Sequence, residues 1–253
     1  MRSLYTPAGA MAVVGRTTKQ VMSPLANPGG ANIVPIPPVP TYSLALNPSA
    51  TNAVVYSSGT PARTNGQPVT WGCSAKIIGT TGQICGFRAG NQLGKIGIAG
   101  GGVIVMDYDS VSGNGQAISP VVLTDYRDDQ WHAIVARYDG MFITLWVDGA
   151  VTAMSGLRPT ASCSATNFSY GRRTDSPSEF ANINVALGFH CTSAWSDADI
   201  ASFASTKSYP VGPTYTFKHL FDEGSGTTAF DTGGGTPVYN AAITNGIWVS
   251  GRP

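Results

Sequence analysis

Charge is scarce in this sequence. Charged residues fill 11% of its 253 positions, against about a quarter in an ordinary globular chain. Fifteen basic and 14 acidic residues leave a net charge of +1. They form no block, so no phosphate-tracking surface and no nucleic-acid partner is expected. Glutamate is scarcer still, with only Glu179 and Glu223. Glycoside hydrolysis needs two carboxyl groups facing each other across a cleft. Glu179 falls in a predicted loop and Glu223 in a turn, so that chemistry is not expected. The three histidines, His132, His190 and His219, are too scattered to suggest zinc or a triad. A GxSxG elbow and a phosphate loop are both missing. So is any apolar run of about 18 residues, which excludes a helical membrane span and membrane insertion by that route. The four cysteines, Cys73, Cys85, Cys163 and Cys191, fit no zinc spacing. A domain of this size holds together without disulfides, so they are expected reduced and mostly buried. An enzyme is not expected.

What the chain does have is glycine, proline and small polar residues, with 31 Gly and 17 Pro. Residues 1–40 carry Pro7, Pro24, Pro28, Pro35, Pro37, Pro38 and Pro40. Such spacing favours an extended, polyproline-like course. Between the prolines lie Leu4, Tyr5, Met11, Val13, Val14, Val21, Met22, Leu25, Ile33 and Ile36. A free linker is usually more polar, and apolar residues on an extended arm gain from a surface to lie on. A disordered tail is the competing reading; the arm is preferred. The first residues make a poor signal peptide, with a proline inside a short apolar core.

The strongest local signal is residues 131–149, WHAIVARYDGMFITLWVDG. A run of apolar and aromatic residues leads to Asp139-Gly140, which suits a two-residue hairpin turn. Met141, Ile143, Leu145 and Val147 then alternate with Phe142, Thr144 and Trp146. Asp148-Gly149 offers the same turn chemistry. Further short strands are predicted over residues 41–46, 53–56, 69–78, 83–88, 95–98, 103–109, 120–123, 154–157, 167–171 and 183–189. In the last of these Ile183, Val185, Leu187 and Phe189 point inward. Short strands separated by Gly, Asn, Asp and Ser predict a sandwich. One helix is predicted after Ser196, an N-cap with Asp199 three residues on in a capping-box arrangement. Ile200 and Phe203 give it an apolar face, and Lys207 and Pro210 mark its exit.

The pattern WHxxxxxxDGxxxxLxVDG resembles the central hairpin of laminin-G-like, pentraxin-like and concanavalin-A-like jelly rolls. Residues 195–203, WSDADIASF, resemble the helix that follows the closing strand of such domains. The likeness covers roughly residues 41–210. Residues 221–234, FDEGSGTTAFDTGG, match a segment that usually opens these domains, yet here it lies at the other end. Circular permutation, or completion by another chain, are the two explanations; packing of residues 215–253 on the chain's own sandwich is preferred. The resemblance implies an all-β fold, a concanavalin-A-like (laminin-G-like) antiparallel β-sandwich jelly roll with one short helix, to which residues 1–40 add an extended N-terminal arm.

Low charge without a signal peptide, together with this fold, leads to the expectation of a non-catalytic structural virion component. Examples are a phage capsid decoration protein or a head or tail fibre protein, anchored by residues 1–40. Its partners would be other virion proteins and itself. The alternative is an extracellular or virion-borne carbohydrate-binding module that recognises a cell-surface glycan. Its aromatic platform would come from Tyr108, Tyr126, Tyr170 and Trp195, each of which also suits the core. No cofactor is required, but the resemblance allows calcium. Asp107, Asp109, Asp125, Asp128 and Asp129 are the candidate ligands, with 6–8 oxygens needed from converging loops.

Overall fold

Alternation gives each strand two different faces, and the chain folds so as to bury at least one of them. In a computed structural model the described residues are 42–47, 54–60, 67–89, 92–99, 103–110, 113–118, 125–155, 166–173 and 179–253. Residues 39–253 belong to one compact unit. The arm residues named above, Cys163 and the strand expected over 120–123 lie outside the described residues.

The first strands are β1 (Tyr42–Leu46), β2 (Val54–Thr60), β3 (Val69–Ile77), β4 (Gly82–Ala89), β5 (Gln92–Ala99) and β6 (Val103–Ser110). Next come β7 (Gly113–Ile118), β8 (His132–Tyr138), β9 (Ile143–Val147), β10 (Ala150–Ser155), β11 (Thr166–Tyr170) and β12 (Ile183–Cys191). The helix α1 (Asp197–Thr206) precedes β13 (Phe217–His219), β14 (Thr228–Ala229), β15 (Ala241–Thr244) and β16 (Ile247–Ser250). One sheet runs β10-β9-β8-β3-β12-β1-β16, with β13 also paired to β12; the other runs β14-β15-β2-β11-β4-β5-β6-β7. The strand pairs are antiparallel. The inner faces share one core that includes Leu44, Trp71, Ile134, Leu145, Phe168, Tyr170 and Phe217. The described residues form an antiparallel β-sandwich with one short helix.

A second apolar cluster lies on the outer face of the first sheet. Val135, Trp146, Phe189 and Trp195 pack there with Ile200, Phe203 and Ala204 of α1. The helix starts where its sequence says it should. Ser196 Oγ accepts from Asp199 N at 3.1 Å, and Asp199 Oδ2 accepts from Ser196 N at 3.3 Å. It ends at Lys207, whose backbone turns left-handed at φ 50°.

Four features differ from the sequence expectations. The connection between β8 and β9 spans four residues rather than two, since Tyr138 pairs with Ile143. Asp139 Oδ1 accepts from both Met141 N and Phe142 N at 2.8 Å. This holds Met141 and Phe142 in the turn, 48% and 38% exposed. The strand β10 begins at Ala150, earlier than expected, because Asp148 and Gly149, both at positive φ, turn the chain at once. The glycine-rich β7 was missed, because its order comes from pairing with β6 rather than from propensity. Finally, the alternation of β12 does not run through. A bulge between Ala186 and Phe189, with Leu187 at φ 52°, shifts the register. Ile183 and Val185 join the inner core, whereas Leu187 and Phe189 join the outer cluster.

The C-terminal segment pairs within the chain itself. β16 extends the first sheet through Leu44↔Trp248, and β15 extends the second through Tyr56↔Ala242. β13 adds to the first sheet beside β12. Residues 215–253 therefore supply strands to both sheets.

Candidate functional site

The bulge in β12 places Phe189 on the outer face, and β13 is paired directly beside it, with Phe189 opposite Lys218. Alternation along β13 buries Phe217 and His219 and sends Lys218 outward. The loop from α1 to β13 crosses this same face. Its sequence, YPVGPTY over residues 209–215, puts a tyrosine at each end of a Pro- and Gly-rich turn. Tyr215 meets Trp195 edge to face at 5.7 Å, and Tyr209 lies 6.2 Å from Phe203 in a stacked arrangement. Both hydroxyls turn inward. Tyr209 Oη lies 3.0 Å from the Gly188 carbonyl and 2.9 Å from that of His219. Tyr215 Oη donates to the Pro210 carbonyl at 2.9 Å. Burial raises both phenols, so they stay neutral donors. The rings are thus held before any ligand arrives, which lowers the entropy cost of binding.

The other wall is the glycine run 233–235. Asp231 fixes it by accepting backbone N–H groups from Lys218, Gly233 and Tyr239 at 3.0, 2.7 and 3.0 Å. A Cβ on Gly233 would stand 2.9 Å from Asp231 Oδ1 and 3.0 Å from Phe217 Cα, so no larger residue fits without displacing that backbone. Between the two walls opens a groove of about 460 Å³, lined by Tyr209, Pro210, Pro213, Tyr215, Lys218 and the glycine run. Small-ligand clefts span roughly 300–1,000 Å³. Lys218 Nζ lies 5.3 Å from the ring centre of Tyr209 and 4.7 Å from that of Tyr215.

The residues singled out from the sequence lie elsewhere. Tyr126, Tyr170 and Trp195 are 6%, 0% and 2% exposed. A stacked sugar needs an open ring face, and these three are core residues. Tyr108 sits on β6 opposite Gly94 and Gly115. Asp107 and Asp109, on the same strand, pair in register with Lys95 and Leu93 on one side and with Gln116 and Asn114 on the other. Asp125 binds the Arg127 guanidinium at 2.6 and 2.8 Å, which holds its carboxyl below the usual range. Asp129 pairs with Lys76 at 2.6 Å. Asp128 lies 3.0 Å from His132 Nε2, whose Nδ1 is 2.7 Å from Asp148. Among the described residues no three His, Cys, Asp or Glu side chains converge on one point. Glu179 accepts from Lys95 and Arg173, and Glu223 from the Phe230 amide. Cys73, Cys85 and Cys191 are buried free thiols.

The groove was missed in the sequence. Its signal was the tyrosine pair bracketing Pro-Val-Gly-Pro-Thr, followed by a lone lysine and then, further on, a glycine triplet. Only strand pairing brings these three stretches together.

No protein-family model and no curated protein matches the chain. Solved structures do. A Bacteroides ovatus protein, named as a candidate carbohydrate binding protein, superposes with TM-score 0.58 at 14% identity, covering 83% of this chain and 60% of that one. A heptameric SAP-like pentraxin from Limulus polyphemus superposes with TM-score 0.52 at 12% identity, covering 81% and 96%. The fold is a jelly-roll β-sandwich. At these identities the likeness concerns the fold alone, and the chain spans less than two thirds of the Bacteroides protein.

Proposed function

We propose that this chain is a non-catalytic binding module that holds a carbohydrate in the groove between Tyr209, Tyr215 and the glycine run. The observation that carries the reading is the groove itself: two immobilised tyrosine rings beside an ammonium donor on the outer face of a lectin-like sandwich. Sugars present apolar C–H faces to aromatic rings and hydroxyls to polar neighbours, and this lining offers both kinds of contact. The name of the Bacteroides relative points the same way. An extracellular setting suits such a ligand. The virion reading rests on residues 1–40 and on the low charge of the chain.

A glycan array probed with the full chain tests the proposal. Selective binding is expected, and Tyr215→Ala should abolish it while the protein still melts cooperatively. An array with no signal, or a signal that survives Tyr215→Ala in a folded protein, would reject the groove.

A further inference from the structure

We infer that the groove selects an anionic glycan, one whose sugars carry carboxylate or sulfate groups, and that Lys218 is the residue that reads the charge. The inference rests on the carbohydrate reading above and names the ligand class within it. None of the ion pairs among the described residues involves Lys218. Its ammonium lies 4.7 Å and 5.3 Å from the ring centres of Tyr215 and Tyr209. Most other basic groups near the sandwich surface are already matched. Lys76 faces Asp129, Arg137 faces Asp197, and Arg173 and Lys95 share Glu179.

No carboxylate side chain lines the groove, that of Asp231 standing behind its glycine wall. Asp231 is the nearest acid in sequence, and both of its oxygens are taken by backbone amides. Asp199 is occupied at the start of α1 by Ser196. A neutral sugar laid over Lys218 would strip water from the ammonium and return only weak dipoles. A carboxylate or sulfate returns a charge-assisted hydrogen bond in the same place. The tyrosine faces hold the ammonium through cation–π attraction, so its position is set in advance. A carboxylate acceptor, which a hydroxyl-rich neutral sugar would favour, is missing from the lining.

The test is calorimetric titration of the full chain with three oligosaccharides of matched length: a galacturonate, a sulfated heparin fragment and a neutral maltooligosaccharide. The anionic probes should bind, more weakly as salt rises, and the first two distinguish carboxylate from sulfate. Lys218→Gln should weaken them by about tenfold or more and Lys218→Arg by much less. Lys76→Gln, which removes an equal charge elsewhere on the surface, should change affinity less than about twofold. A neutral probe that binds, is lost in Tyr215→Ala and ignores Lys218→Gln would overturn the inference and leave the carbohydrate reading standing. Equal losses in the Lys76 and Lys218 variants would overturn it too, because binding would then follow overall charge. Binding of none of the three probes, together with a silent glycan array, would remove the carbohydrate reading itself.

Discussion

Phe217 and Lys218 are neighbours in the chain and belong to different regions of the molecule. Phe217 lies in the inner core, stacked on His190 at 5.7 Å and edge-on to Phe168 at 5.0 Å. Lys218 lies on the outer face, above a cluster that a single ten-residue helix covers incompletely. The inner region is closed from both sides by sheets, so most polar groups there are matched inside the protein. The outer region has one sheet, one helix and a tyrosine-bounded loop, and that incomplete cover leaves a groove. On the proposed reading, stability and recognition fall on opposite faces of one short strand. A residue on the inner face should affect folding far more than binding, and a residue on the outer face should do the reverse.

The largest expected effect breaks the scaffold shared by both regions. Deleting residues 241–253 removes β15 and β16 and leaves an unpaired edge on each sheet. The truncated chain should lose its cooperative melt and aggregate. A soluble product with an unchanged melting temperature would show that the segment adds nothing to the sandwich. Next, Phe217→Ala should cost about 3–5 kcal/mol in urea unfolding. Its folded fraction should still bind whatever the groove binds.

The histidines sharpen the comparison through pH. His219 is fully buried, and its Nε2 donates to the Tyr239 carbonyl at 2.8 Å, leaving Nδ1 to accept from Tyr170 Oη at 3.2 Å. Burial pulls its pKa down to about 4, against the opposing pull of that carbonyl and of Asp231. The unfolded chain therefore takes up the proton first as pH falls. The contribution of His219 is present above pH ~6.5 and is lost between there and about 4, by at most about 3 kcal/mol. His132, at the sheet margin, behaves oppositely. Burial would lower it, but Asp148 and Asp128 outweigh that and raise it. Its contribution is present at low pH and is lost as pH rises through its folded pKa. His132 itself is buried, but Asp128 and Asp148 are 47% and 43% exposed, and solvent screening of these partners keeps that below about 1 kcal/mol. Unfolding measured from pH 4 to 8 should follow His219, and His219→Gln should flatten the slope below neutrality. An unaltered slope would contradict a neutral, buried His219.

Smaller effects belong to the outer face. Ser196→Ala removes the N-cap of α1 and should cost about 1 kcal/mol. Lys218→Gln should change stability by only about 0.5 kcal/mol, the scale of an exposed cation–π contact. A large stability loss in Lys218→Gln would erase the distinction between the two faces of β13.

Much of the sandwich was legible because its signals are local. Period-two runs such as the one over residues 69–77 specify a strand and its buried face without reference to partners. Ser196 and Asp199 specify a helix start because capping is a bond between residues three apart. The four-residue turn after Tyr138 was less legible, since Asp139 can serve a two-residue turn or accept from two amides, and the flanking register decides. The site was hardest to read. Tyr126, Tyr170 and Trp195 have the chemistry of a sugar platform, but side-chain type does not say whether a ring ends in the core or at the surface.

By itself, the sequence determined which segments could be strands and where helix α1 begins. These follow from short-range periodicity and capping. The tertiary structure decided the rest. The bulge at Leu187 moved Phe189 to the outer face, and the pairing of β13 with β12 then set Lys218 above it. Asp231 folded the glycine run back against the same strand. Tyr209, Lys218 and Gly234 are distant from any local pattern that links them. Only antiparallel register, a long-range property fixed by burying one face of every strand, brings them to a single groove.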